Sequence, residues 1–202
     1  MTASTAESVR AFIAIALEPG LVAELRKVQQ ELQARLPDDS VRWTKPEQLH
    51  LTLKFFGNVA RENLENLTAA LDRACAGIAS FQLALENVGS FPHTKRPRVI
   101  WTGIGGELES LSKLQERIEQ ETGNFGDHKP ERGFQPHLTI GRVKAFGMAA
   151  RRVGEVVERA HVPRLGVWTV HQIELVQSEL APQGACYSTL SAVTFARDTD
   201  QR

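Results

Sequence analysis

One segment type, with an apolar face and a polar face, occurs twice in this chain and constrains its fold more than any other feature. QLHLTLKFFG contains His50 and Thr52 between leucines, and QPHLTIGR contains His137 and Thr139 in the same arrangement. Side chains two residues apart on a strand share a face and lie about 7 Å from each other. Each segment therefore predicts a strand that buries its apolar residues and presents an imidazole and a hydroxyl on the other side.

The spacing of the two segments indicates an internal repeat. Their histidines are about 87 residues apart in a chain of 202, and each half reads as a helix, the motif strand, a helix and further strands. This pattern is typical of an ancient duplication. Mixed helices and strands with mostly hairpin-length connections favour an α+β fold over a doubly wound parallel sheet. No GxGxxG follows the first strand, so a dinucleotide-binding fold is not predicted.

Hydrophobic periodicity and turn residues predict the individual elements. The predicted strands are 9–17, 41–43, 49–56, 81–88, 98–103, 137–143, 167–177 and 187–195, and the predicted helices are 19–36, 61–78, 107–122 and 149–160. No linker rich in proline or glycine divides the chain.

Composition narrows the class of protein. The 24 basic and 24 acidic residues leave no net positive field for a long duplex, although a short or terminal nucleic-acid segment needs only a local basic patch. Two cysteines make neither a disulfide framework nor a zinc site. The apolar run Ala11–Leu17 is too short to span a bilayer, and the N-terminus lacks the features of a secretory signal. We expect a soluble cytoplasmic protein with no membrane association.

Two histidines that face each other suit phosphodiester chemistry. A neutral imidazole removes a proton from water while a protonated one gives a proton to the leaving oxygen, and a pKa near 6.5 allows both forms near neutral pH. Hydroxyls and nearby cations can bind the phosphate oxygens. A metal site fits less well because a third ligand is missing. A single His or Thr on such a strand is usually structural, and the repetition favours a functional pair.

With both motifs identified, the sequence resembles the 2H phosphoesterase superfamily, and most closely the RNA 2′,3′-cyclic phosphodiesterases, or 2′-5′ RNA ligase-like proteins. VRAFIAIAL, VRWTKPEQLHLTLKFFG, FPHTKRPRVIW, GFQPHLTIGRV and ELVQSEL follow in the family's order. The resemblance implies a bilobal α+β fold with two pseudo-symmetric lobes of mostly antiparallel sheet and outer helices around a central cleft. Residues 1–202 would form a single domain in which each lobe contributes one His-x-Thr motif.

The resemblance also implies an activity. It is the metal-independent hydrolysis of RNA 2′,3′-cyclic phosphate ends to 2′-phosphomonoesters without a cofactor, and some members also join RNA through a reversible 2′-5′ bond. His50 would be the proton donor and His137 the proton acceptor, while Thr52 and Thr139 would hold the phosphate. The protein is expected to be a monomer. Its expected partner is RNA with a cyclic phosphate end, and tRNA fragments are candidates for this RNA.

The sequence is also compatible with two alternative functions. The same cleft would suit a phosphodiesterase acting on 2′-5′ oligonucleotides or nucleotide-sugar cyclic phosphates. A non-catalytic RNA- or nucleotide-binding module is the alternative from another class, although binding alone does not require two proton-transfer groups.

Strand parity suggests further substrate contacts. In a regular strand, Lys54 and Phe56 share the face of His50. Lys54 is therefore predicted to contact the phosphate, and Phe56 to stack on a base. Arg142 has the wrong parity relative to His137, and it reaches the cleft only if Gly141 marks a bulge or the strand ends there.

Two basic residues outside the strands complete the predicted contacts. Arg98 belongs to the basic loop HTKRPR, and Arg132 precedes the second motif by five residues. Both are predicted to contact RNA.

Overall fold

Two antiparallel sheets, four α-helices and two short 3₁₀ helices make up the part of the chain that the computed structural model describes, residues 7–128, 133–162, 164–181 and 184–196. The strands are β1 Ser8–Ala16, β2 Val41–Trp43, β3 His50–Ala60, β4 Phe81–Phe91, β5 Val99–Gly106, β6 His137–Val143, β7 Gly166–Val170, β8 Gln172–Ala181 and β9 Gly184–Thr194. The helices are α1 Pro19–Gln33, α2 Leu64–Cys75, α3 Leu108–Thr122 and α4 Gly147–Glu158.

Each sheet contains one of the two motif strands. The order β3-β1-β8-β9 forms one sheet, called here the β3 sheet, and β2-β6-β5-β4-β7 forms the other, called the β6 sheet. Neighbouring strands in both sheets are antiparallel. The α+β prediction is confirmed, while the origin of the halves by duplication stays a prediction.

The helices cover the outer faces of the sheets with apolar stripes. In α1, which starts with a proline in its first turn, the buried leucines Leu21, Leu25 and Leu32 recur at helical spacing. Helices α2 and α3 pack on each other and on the β3 sheet, whereas α1 and α4 pack on the β6 sheet. Helix α1 therefore contacts the motif strand of the second half of the chain, and α3 contacts that of the first half. No helix in the described ranges is long and apolar enough to cross a bilayer.

The predicted single strand 167–177 is wrong, because the chain changes sheets within it. Strand β7 pairs with β4, and β8 pairs with β1, with the exposed His171 between them. Buried residues alternate at Trp168 and Val170 before this point, and the alternation resumes at Ile173 and Leu175 after it. Their alternation is broken by a spacing of three residues, which marks the change of sheet.

Candidate active site

A β-bulge interrupts β3 immediately after its threonine. The pairing with β1 passes from Thr52 to Lys54 and skips the residue between them. An extra residue in one strand reverses the alternation that follows it. On the face of His50 and Thr52, the next side chain is therefore Phe55.

The prediction that Lys54 and Phe56 share the face of His50 is wrong for this reason. Lys54 Nζ lies 2.5 Å from Glu119 Oε2, and the lysine side chain is only 6% exposed. Its ammonium also donates to the main-chain carbonyl of Thr122. Phe56 is fully buried in the core. Both side chains point behind the sheet, away from the cavity described below.

The second motif strand has a bulge at the equivalent position. The pairing of β6 with β5 passes from Thr139 to Gly141 and skips Ile140. A bulge next to Gly141 is one of the two conditions under which the sequence predicts that Arg142 reaches the cleft. The bulge returns Arg142 to the face of Thr139, and its side chain lines the cavity.

Each bulge is held by a helix from the other half of the chain. Gln29 of α1 is buried, and its Nε2 donates to the main-chain carbonyls of Ile140 at 2.8 Å and Thr44 at 2.9 Å. Glu119 of α3 accepts the hydrogen bond from Lys54, which directly follows the bulge in β3. The packing of α1 and α3 thus sets the local geometry of both motif strands.

The polar faces of the two motif strands meet in one cavity of about 500 Å³. The four motif side chains, His50, Thr52, His137 and Thr139, all line it. The other lining residues are Arg10, Phe12, Arg42, Trp43, Thr44, Lys45, Gln48, Phe55, Arg142, Ser178, Leu180, Gly184, Ala185 and Tyr187.

The cavity is electrostatically suited to an anion. Arg10, Arg42, Lys45 and Arg142 line it, and none of its described lining residues is an aspartate or a glutamate. Clustered cations without a compensating carboxylate attract phosphate and bind its oxygens through charge-assisted hydrogen bonds. Arg98 does not belong to this group, because it is exposed immediately before β5 and does not line the cavity. Arg132 lies outside the described residues.

Aromatic rings surround His50. Phe12 stacks on its imidazole with the ring centroids 4.8 Å apart, and Tyr187 lies edge-on at 5.4 Å. Its Nε2 is 3.1 Å from Thr52 Oγ1. Burial lowers the pKa of His50 to about 4, although a hydrogen bond with the main chain of Gln48 acts in the opposite direction. The imidazole of the free protein is therefore neutral at pH 7.

His137 is oriented by a main-chain hydrogen bond. Its Nδ1 lies 2.7 Å from the carbonyl oxygen of Gln135, which can only accept, so Nδ1 carries the hydrogen. Nε2 of the neutral ring is then left with a free lone pair, which is the state a proton acceptor requires. The ring of Phe91 packs edge-on against this imidazole at 5.0 Å.

Sequence reasoning missed several residues of the cavity. Arg42 pairs directly with Arg142 across β2 and β6, and Lys45 follows in the same segment before the first motif, so their position in VRWTK was the available signal. Phe55 was hidden by the bulge in β3. Tyr187 comes from β9, far along the chain, and no local pattern connects it with His50.

The fold and the paired His-x-Thr motifs define a phosphoesterase of the 2H type, as the sequence predicted. The sequence profile of the LigT-like phosphoesterase family matches residues 15–101 and 106–187. The chain belongs to this family.

Two curated relatives show how far the similarity extends. The RNA 2′,3′-cyclic phosphodiesterase of Methanothermobacter thermautotrophicus is 34% identical over 90% of this chain and 96% of its own length. That of Thermotoga maritima is 29% identical over 93% of this chain and 96% of its own.

Solved structures show the same fold. A crystal structure of a Thermus thermophilus protein superposes with a TM-score of 0.73 at 28% identity, covering 94% of this chain and 99% of the other. Escherichia coli LigT complexed with 3′-AMP gives a TM-score of 0.75 at 23% identity over the same shares.

Proposed function

We propose that this protein hydrolyses the 2′,3′-cyclic phosphate at the end of an RNA to a 2′-phosphomonoester. The observation that carries the proposal is that both His-x-Thr motifs line the same cavity, together with four cationic side chains. Relatives that match over at least 90% of this chain are named RNA 2′,3′-cyclic phosphodiesterases, which supports the same substrate here. Cys75 and Cys186 are free thiols, in keeping with the proposed cytoplasmic location.

The cavity residues provide each part of an in-line hydrolysis. His137 takes a proton from a water molecule at Nε2 as the water oxygen attacks phosphorus. The bond between phosphorus and the 3′-oxygen breaks, and His50 gives its proton to that oxygen. Thr52 and Thr139 donate to the non-bridging oxygens, and Arg142 offsets the charge that builds up on them.

The proton-donor role of His50 requires a change on substrate binding. With a pKa of about 4 in the free protein, its imidazole is neutral at pH 7, and a neutral imidazole is a much weaker acid than the imidazolium that a proton donor requires. An anion beside an imidazole favours the protonated form. Binding of the cyclic phosphate next to His50 therefore raises its pKa, and the donor becomes charged when the substrate is in place.

Turnover of a substrate panel in the presence of EDTA tests the proposed function. The panel comprises RNA with a cyclic phosphate end, 2′,3′-cyclic mononucleotides and 2′-5′ dinucleotides. We expect hydrolysis of the cyclic phosphates, a 2′-phosphate product by ³¹P NMR, and slower cleavage of the 2′-5′ bond. Loss of all activity in EDTA, restored by added metal, would contradict metal independence. Binding without turnover would favour the non-catalytic alternative.

NMR titration of the His50 ring tests the assignment of roles. We expect its pKa to rise by at least about one unit when inorganic phosphate saturates the cavity, because a nearby anion stabilises the imidazolium. An unchanged pKa would mean that His50 stays neutral and is better suited to accept a proton than to donate one.

A further inference from the structure

The basic loop HTKRPR lies outside the cavity, but the fold places it beside the cavity. The loop connects β4 with β5. The main-chain carbonyl of Arg98, its last residue, accepts a hydrogen bond from the main-chain N–H of Val143 at 2.9 Å. Val143 directly follows Arg142, which lines the cavity. The loop and the cationic side of the cavity therefore meet at one end of the β6 sheet.

Strand β6 leads from the histidine pair to this end of the sheet. It begins at His137, and Thr139 and Arg142 follow on the face that lines the cavity. Lys144 comes two residues after Arg142, just beyond the strand, where its main-chain N–H donates to the carbonyl of Ser40 at 2.8 Å. A polynucleotide whose end lies between the histidines can thus follow β6 out of the cavity.

Helix α4 belongs to the same surface because it packs directly on the loop. The main-chain oxygen of Thr94 occupies the position that a side chain at Gly154 would need. Arg151 lies one turn before Gly154 on the same side of the helix and is exposed. Phe146 immediately precedes the helix, and its side chain is 89% exposed. An aromatic ring and a further cation therefore lie close to the basic loop.

Much of the positive charge at this end of the sheet is uncompensated. Three exposed cations make no ion pair within the described part of the chain, and these are Lys95, Arg96 and Arg98. Lys144 pairs with Asp39 at 2.7 Å, and Arg151 pairs with Glu155 at 3.5 Å. Both pairs are exposed, so they are weak, and a phosphate can replace the carboxylate.

We propose that this end of the β6 sheet binds the RNA chain upstream of the nucleotide in the cavity. The surface is called here the basic end, and it is formed by Lys95, Arg96, Arg98, Lys144, Phe146 and Arg151. The inference rests on the proposed function. Cations that bind backbone phosphates, together with an exposed ring that stacks on a base, are typical of surfaces for single-stranded nucleic acid. The cavity then holds the terminal nucleotide, and the basic end holds the nucleotides that precede it.

Single-stranded RNA fits the basic end better than an anionic membrane does. Helix α4 buries its apolar side chains Ala150, Val153, Val156 and Val157, so its apolar face is not available for insertion into a bilayer. The basic end is also continuous with the cavity that is proposed to bind an RNA end. Charge and position together therefore favour RNA.

The dependence of affinity on RNA length tests the proposal. The two probes are adenosine 2′-monophosphate and an octanucleotide of adenosine with a 2′-phosphate at its end. Both carry the end group of the proposed product, so their binding can be measured by calorimetry without turnover. In the wild type we expect tighter binding of the octanucleotide. Its affinity should also fall more steeply with salt, because more phosphates are neutralised.

Lys95→Ala/Arg96→Ala removes two exposed cations that do not line the cavity. At about 0.1 M salt, it should lower the ratio of octanucleotide to mononucleotide affinity by at least about 10-fold. The slope of log affinity against log salt for the octanucleotide should become shallower by about 1.4, since each phosphate contact of a single strand contributes about 0.7. Phe146→Ala should lower the ratio without changing the slope, because stacking on a base releases no counterions.

Arg26→Ala/Lys113→Ala is the matched control. It removes the same charge from exposed positions on α1 and α3 that do not line the cavity, and it should change neither the ratio nor the slope. Circular dichroism establishes that each variant is folded. Equal losses in the two double variants, or equal affinities of the wild type for both probes, would overturn the basic end as an RNA site.

Two further measurements separate the possible failures. If the wild type hydrolyses cyclic mononucleotides but binds both probes equally, the basic end is overturned and the proposed function stands. If it hydrolyses no cyclic phosphate, the proposed function is contradicted, and the ratio of affinities still tests the RNA site. Binding to phosphatidylserine vesicles that is lost in Lys95→Ala/Arg96→Ala, with no effect of RNA length, would identify a membrane surface instead and overturn the proposal.

Discussion

The two motif strands use the same backbone arrangement to present different side chains. Both β3 and β6 carry His-x-Thr followed by a bulge at the third residue after the histidine. The fourth position is buried in both strands, as Lys54 and Gly141, and the fifth lines the cavity, as Phe55 and Arg142. The repeated backbone places two equivalent histidines in one cavity. The fifth position adds an aromatic ring from the β3 sheet and a guanidinium from the β6 sheet.

The fourth position shows why the two strands tolerate different residues there. Behind β3, there is space for the long side chain of Lys54, which reaches α3. Behind β6, a Cβ atom at Gly141 would lie 2.8 Å from Val41 Cγ1 and 3.1 Å from the Trp43 ring. The absence of a side chain lets β2 pack closely against β6, which brings Arg42 beside the arginine of the fifth position.

Removal of either histidine should have the largest effect. We expect His50→Ala and His137→Ala each to lower kcat by at least about 100-fold, the scale of general acid–base catalysis. Because the two groups act in one step, the double variant should lose little more than the worse single variant. Single-turnover assays measure this. His161→Ala, exposed and outside the cavity, is the control, and full activity in either single variant would refute the two-histidine mechanism.

Arg142→Ala should have the next largest effect on activity. A hydrogen bond to a charged group is worth about 1.5–3 kcal/mol, so we expect kcat/KM to fall about 10- to 100-fold. Arg142→Lys should recover part of this loss, since it restores the charge without the planar fork. Lys113→Ala, on the exposed face of α3, serves as the control. A loss of less than twofold in Arg142→Ala would show that Arg142 does not contribute to phosphate binding.

The ion pair behind β3 should matter for stability. Glu119→Gln leaves the buried ammonium of Lys54 without its counter-ion, and we expect the free energy of unfolding in urea to fall by about 1–3 kcal/mol. Lys54→Met should cost less, because Glu119 is 33% exposed and can be hydrated.

Glu121→Gln is the matched control on the same helix. It breaks an exposed pair with Arg73, and such pairs contribute about 0–1 kcal/mol. Equal effects of the two glutamate substitutions would show that the Lys54 pair is not a buried anchor.

A further prediction concerns the pH dependence of stability. Because burial lowers the pKa of His50 from 6.5 to about 4, the unfolded chain binds a proton at this site more readily than the folded one. The resulting stabilisation is complete above pH 6.5 and is lost as the pH falls to 4. In urea denaturation across this range, His50→Asn should lose less stability than the wild type. His137→Asn is the comparison, and an identical pH dependence for His50→Asn and wild type would contradict the shift.

Local pattern alone predicted much of the molecule. Alternation located β3 and β6, periodicity located α1 and α3, and the repeated His-x-Thr motif identified the pair of imidazoles. These features follow from the spacing of neighbouring residues, so they can be read from one segment at a time. The same reasoning extended the alternation of β3 without a break, and for that reason it assigned Lys54 and Phe56 to the wrong face.

The sequence by itself therefore determined most of the elements, the motifs and the family of this protein. Only the tertiary structure decided which side chains share the cavity with the histidines. The bulges depend on partner strands and on anchors such as Gln29 and Glu119, which come from distant parts of the chain. An insertion of one residue in a strand reverses every position after it, so the residue at the fifth position cannot be known before the strands are paired.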